Sequence, residues 1–215
     1  MKSEILQQTE NFVHREFFGE ATGHDWFHVE RVRKNAMNIW SHENAGDPFT
    51  IEMAALLHDV SDEKLNVSAE KGREKLALFL QSLDLSAEVK NRIMDIIESI
   101  SFKGGSMDEA ASIEAKIVQD ADRLDAIGAI GIARVFAYGG KKGQPIYDPS
   151  LHVRENMSVE EYRNGKSSSI HHFYEKLLKL KDRMNTDAAK KMAENRHQVM
   201  EAFLEEFYKE WNGQS

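Results

Sequence analysis

Apolar residues return every three or four positions through almost all of this chain, and no stretch shows the in–out alternation of a half-buried strand. That periodicity calls for helices packed on helices around a shared core. With 215 residues, 41% of them hydrophobic and 30% charged, the chain is long enough for one good core and does not require a second domain. The expectation is an all-α, single-domain bundle over residues 1–215.

The individual elements follow from faces and caps. Residues 3–18 predict an amphipathic opening helix whose face carries Ile5, Leu6, Phe12, Val13 and Phe17. Thr22 and Gly23 precede a second helix running to about residue 44, with Phe27, Val32, Ala36 and Ile39 inward. Asp47-Pro48 pairs a capping carboxylate with a proline at the first helical position and starts a helix that ends at His58. Ser68 opens a helix to about 82, and Ser86 another to about 100. A long helix is expected over 108–138, where "ADRLDAIGAIGIARVFAYG" supplies small residues that permit close helix approach. Residues 139–157, "GGKKGQPIYDPSLHVRENM", hold two of the three prolines and read as a lid or binding loop. The region 158–215 is expected to pack on the core. It has a capping box at Ser158 and Glu161, then helices near 169–180 and 187–211.

Composition narrows the chemistry. The absence of cysteine excludes disulfides and thiolate metal sites, so any metal must be held by histidine, carboxylate or carbonyl groups. A net charge of -8 argues against a nucleic-acid groove, though a few local cations could still hold a small anion. No apolar run approaches membrane-spanning length and "MKSEILQQTENF" lacks the apolar centre of a signal peptide, so the expected setting is the cytoplasm, away from membranes.

Against this background "AALLHDVSDEK", residues 54–64, stands out. It sets two ionisable groups, His58 and Asp59, at the end of an apolar helix, where they cost stability without a partner. The other His-Asp dipeptide, His24-Asp25, sits at a helix start, where aspartate can cap. Two further groups of the right type lie in otherwise apolar helices, His28 among Trp26, Phe27, Val29 and Val32, and Asp122 in "IVQDADRLDAIGAIG". Two imidazoles and two carboxylates suit a borderline or hard divalent ion. Each residue also has a plainer reading. His28 could be a core histidine bonded to a carbonyl, His58 and Asp59 could pair at a helix end, and Asp122 could pair with a cation.

In this order and context, His28, His58-Asp59 and Asp122 resemble the H…HD…D signature of the HD superfamily of metal-dependent phosphohydrolases, which have an all-α core. The stretches "GHDWFHVERV", "LLHDVSDEK", "DADRLDAIGAIGIAR" and "SSSIHHFYEKLLKLKDRMNT" are similar to the YpgQ-type bacterial subgroup, and that likeness spans almost the whole chain. The resemblance implies metal ligation by His28, His58, Asp59 and Asp122. It also implies a nucleotide phosphohydrolase with deoxynucleoside triphosphates as the favoured substrates, giving monophosphate and pyrophosphate. Binuclear HD enzymes insert two further histidines between the HD pair and the last aspartate. This chain has no histidine between Asp59 and His152, so one ion is expected: manganese first, with magnesium, cobalt, nickel, iron or zinc as alternatives.

Hydrolysis also needs a base and phosphate-binding cations. Asp62, three residues after Asp59, is the expected base. Alarmone hydrolases carry a Glu-Asp pair after HD, and here Asp62-Glu63 is reversed. Arg31, Lys64, Lys103 and His24 are the expected substrate contacts, with Lys34 and Arg123 as weaker candidates. Tyr147 could stack a base, and His171 or His172 could touch phosphate. Rival readings are a nucleoside-monophosphate phosphatase, an alarmone hydrolase, or a non-catalytic nucleotide-sensing module. Oligomeric state is left open.

Overall fold

The computed structural model describes residues 2–19, 25–62, 65–100, 110–154 and 165–214. Among these residues there are helices and turns but no strand, as the periodicity predicts. No helix is long and apolar enough to cross a membrane. Two compact units are formed, Met1–Asp122 and Arg123–Ser215.

The first unit comprises α1 (Lys2–Glu16), α2 (Trp26–Glu43), α3 (Pro48–Leu57), α4 (Ala69–Ser82), α5 (Ala87–Ile100) and most of α6 (Ile113–Asp125). Its centre is α3. Phe49, Thr50, Ile51 and every residue from Met53 to Leu57 are buried, and α1, α2 and α5 pack around it. A helix apolar on all sides is stable only in such a position. Its start is built as expected, with Pro48 at the first position and Asp47 Oδ2 accepting from Thr50 N at 2.8 Å. Ser68 caps α4 by accepting from Lys71 N. Arg33 of α2 joins the neighbours of α3 from outside, reaching Glu10 of α1 and, at 3.2 Å, Glu52 of α3 itself.

The second unit holds α7 (Gly128–Lys142), α8 (Ser169–Glu175), two 3-10 turns (Leu177–Lys179 and Lys181–Arg183) and α9 (Asp187–Trp211). Helix α9 packs on α7. Phe136, Phe173 and Phe203 meet ring to ring at centroid separations of 5.8–6.3 Å in its core. The N–H groups that the first turn of α8 leaves without helical partners are all satisfied. Ser169 and Ile170 donate to the carbonyls of Pro145 and Ile146, and His171 donates to the capping Ser168 Oγ.

Three expected boundaries are corrected. The helix expected over 108–138 breaks between α6 and α7 because Gly128 adopts φ +74°, and a Cβ there would lie 2.9 Å from Arg196 Cβ. Residues 139–142, expected in the loop, finish α7, whose end is set by the left-handed Gly143. The helix expected to reach 180 gives way after Glu175 to 3-10 turns. These bring Leu177 and Leu180 onto one side, where both are buried. Ser158 and Glu161 lie outside the described residues.

Candidate metal centre

His28 enters the site from the first turn of α2. The Asp25 carboxylate accepts from His28 N at 2.8 Å and caps the helix, so the first His-Asp dipeptide serves the second through backbone geometry. The His28 side chain is 1% exposed. His58 is the residue at which α3 ends, and Asp59 follows in the turn. His58 Nδ1 donates to the carbonyl of Ala55 at 2.8 Å. Because a carbonyl only accepts, this bond places the proton on Nδ1 and leaves the Nε2 lone pair facing inward. Asp122 comes from α6. That helix is tied to α2 one residue earlier, where Asn35 Nδ2 donates to the carbonyl of Ala121 at 3.2 Å. Asn35 follows His28 by seven residues, two helical turns, and so shares its face.

His28, His58 and Asp59 converge, and Asp122 approaches both imidazoles. His28 Nε2 lies 3.3 Å from His58 Nε2, 3.3 Å from Asp59 Oδ2 and 3.5 Å from Asp122 Oδ1. His58 Nε2 lies 3.4 Å from Asp59 Oδ2 and 3.9 Å from Asp122 Oδ1. The ligand atoms of His28, His58 and Asp59 all fall within 4.8 Å of one another. The Asp59 side chain is 12% exposed and that of Asp122 49%, so the site is closed on the imidazole side and opens past Asp122.

The 3.3–3.5 Å separations among His28, His58 and Asp59, and between His28 and Asp122, fit a divalent ion. Bonds of about 2.0–2.2 Å from a first-row metal to nitrogen and oxygen separate neighbouring ligand atoms by about 3.0–3.5 Å. The donor chemistry agrees, since neutral imidazole lone pairs and ionised carboxylates crowded at such range are drawn together by a cation held among them. Two nitrogens and two carboxylates match the borderline and hard ions expected from the composition.

The other expected site residues are distributed less evenly. Asp62 lies in the turn begun by His58, with its N–H donating to the carbonyl of Asp59 at 3.0 Å. Arg31 is half-buried on α2, three residues after His28. Lys34 pairs with Glu30 on the helix surface at 3.0 Å, and Arg123 donates to the carbonyl of Arg183. His24, Lys64 and Lys103 lie outside the described residues. Tyr147 stacks on His171 and meets the edges of Phe207, Tyr208 and Trp211, so its ring serves an aromatic cluster of the second unit. Sequence reasoning missed Asn35, whose i+7 spacing from His28 was a usable signal. It also missed Asn66 and Gly72, for which no local pattern exists.

The HD domain family model matches residues 26–127. YpgQ of Bacillus subtilis strain 168 is 39% identical over 213 residues, covering 96% of this chain and 94% of YpgQ. A crystal structure of an HD-superfamily hydrolase from Bacillus thuringiensis superposes with a TM-score of 0.79 at 48% identity, covering all of both chains. The crystal structure of B. subtilis YpgQ in complex with ADP superposes with a TM-score of 0.78 at 37% identity, covering 98% of this chain and all of that one.

Proposed function

Because this chain belongs to the HD superfamily, in the group that contains YpgQ, we propose that it is a metal-dependent phosphohydrolase that cleaves nucleoside or deoxynucleoside triphosphates to monophosphate and pyrophosphate. The observation that carries this reading is the gathering of His28 Nε2, His58 Nε2 and Asp59 Oδ2 within 3.3–3.4 Å of one another, with Asp122 Oδ1 at 3.5 and 3.9 Å from the two imidazole nitrogens. The ADP complex of YpgQ supports a small nucleotide as the ligand.

His28, His58, Asp59 and Asp122 would hold one divalent ion, manganese being favoured. When bound there, such an ion supplies a Lewis acid that polarises a phosphoryl oxygen and makes a water nucleophilic near neutral pH. The rest is the work of the chain. Ala55 holds the His58 ring through Nδ1, and Asn35 holds α6 so that Asp122 faces α2. Asp62 accepts the proton of the attacking water as its oxygen bonds to the α-phosphorus and the bond to the β-phosphoryl oxygen breaks, releasing pyrophosphate. Arg31, with Lys64, Lys103 and His24, neutralises the phosphates. The partly exposed Asp122 marks the side from which a nucleotide reaches the site.

The test is a product assay across nucleotides with a panel of divalent ions, repeated with Asp62→Ala and Asp59→Ala. Release of pyrophosphate from dATP, lost in both variants, supports the reading. Orthophosphate from monophosphates would replace it with a phosphatase, and nucleotide binding without turnover in any ion would replace it with a sensing module.

A further inference from the structure

The segment that carries Asp62 has little apolar packing to hold it. Val60 is buried, but Ser61 and Asp62 are half-exposed, and the chain has already left α3. Its backbone turns through successive short closures, Val60 N to Leu57 O at 3.1 Å, Asp62 N to Asp59 O at 3.0 Å and Leu65 N to Asp62 O at 3.1 Å. Helix ends of this kind leave carbonyls without helical partners and fray readily.

Two residues from further along the chain meet this turn. The side-chain amide of Asn66 donates both of its hydrogens, one to the carbonyl of Val60 and one to that of Asp62, each at 2.8 Å. The two carbonyls bracket Ser61, so one planar group fixes the curvature of the chain between Asp59 and Asp62. Helix α4 closes on the same peptide from another direction. A Cβ at Gly72 would lie 2.6 Å from Ser61 O and 2.8 Å from Asn66 Nδ2, so only glycine lets the helix backbone approach. Gly72 N donates to Ser68 O in the capped first turn of α4, which makes that backbone a firm surface.

We propose that Asn66, backed by Gly72, is a positioning residue that sets where Asp62 stands relative to the ligands His58 and Asp59. This rests on the reading of Asp62 as the proton acceptor. Holding a turn together would require only stability from Asn66. Positioning requires that its loss be felt in the chemical step, and a displacement of about 1 Å costs catalysis on the order of 100-fold.

The experiment measures kcat and KM for dATP in manganese, and manganese affinity by titration, on the full chain. Asn66→Ala is expected to lower kcat by about 10- to 100-fold while KM and manganese affinity stay within about threefold. Asn66→Ser, which keeps one donor, should fall between it and the parent. Gly72→Ala leaves Asn66 intact but displaces the same peptide, and should give the same pattern. The double variant Asn66→Ala with Asp62→Ala should be no slower than Asp62→Ala alone, since a misplaced base and a missing one are one defect. Fully multiplicative losses, an unchanged kcat in Asn66→Ala and Gly72→Ala, manganese affinity falling in step with kcat, or failure of all three single variants to fold would each overturn the proposal. If Asp62→Ala alone keeps full kcat, it is the assignment of the base that fails, and that result is separable from the others.

Discussion

The Nε2 atoms of His28 and His58 stand 3.3 Å apart, one delivered by the first turn of α2 and the other by the residue that caps the C-terminus of α3. Their side chains are 1% and 4% exposed. Two unlike helix ends meet at one buried point, and each is fixed by a hydrogen bond involving the backbone, His28 N to the Asp25 carboxylate and His58 Nδ1 to Ala55 O.

Removing the first of these fasteners should be felt twice. Asp25→Ala is expected to lose about 1 kcal/mol of stability through the missing cap. It should also weaken metal affinity, because the turn that aims His28 is no longer held. Asp25→Asn, which still caps, should recover both in thermal melts and metal titrations. Full metal affinity in Asp25→Ala would separate the cap from the site.

Metal should stabilise the fold by mass action. At about 100 times its dissociation constant a ligand of the native state alone adds about 2.7 kcal/mol, so manganese should raise the melting temperature and a chelator should reverse the rise. Asp59→Ala should melt at one temperature with or without manganese.

A separate pH dependence is expected in the second unit. Burial pushes the His172 imidazole down from 6.5 to about 4, with Lys176 and Arg154 adding to the shift and Glu175 opposing it. The folded pKa lies below the unfolded one, so protons favour the unfolded chain. The stability from neutral His172 is intact above pH 6.5 and declines as pH falls from there to about 4, by roughly 3 kcal/mol in all. His172→Gln should flatten that portion of a stability-against-pH curve. An unchanged slope would mean that His172 titrates normally.

Helix boundaries were legible wherever a cap sits beside a periodic run. Helix α9 begins and ends where the sequence places it, with Thr186 accepting from Ala189 N. Helix α3 was legible from Asp47-Pro48 and its unbroken apolar character. The break at Gly128 was not, because "AIGAIGIAR" offers two glycines and only the packing of Arg196 tells which one must turn. The residue types of the candidate centre were legible as costly groups in apolar helices, and the structure gathers His28, His58 and Asp59, with Asp122 approaching the two imidazoles. Of their supports only Asn35 left a signal, its i+7 spacing from His28, whereas Asn66 and Gly72 meet the backbone of a distant turn and leave no mark on local sequence. Tyr147, a candidate for stacking a base, packs against His171, Phe207 and Trp211 of its own unit.

His28 of α2, His58 and Asp59 of the turn after α3, and Asp122 of α6 are proposed to share one divalent ion. The most direct measurement is a manganese titration of the parent chain and of His28→Ala, His58→Ala, Asp59→Ala and Asp122→Ala, read by calorimetry beside pyrophosphate release from dATP. One ion per chain is expected in the parent, with affinity and turnover lost together in all four variants. Two ions per chain, or any of the four binding manganese as tightly as the parent, would contradict the shared site.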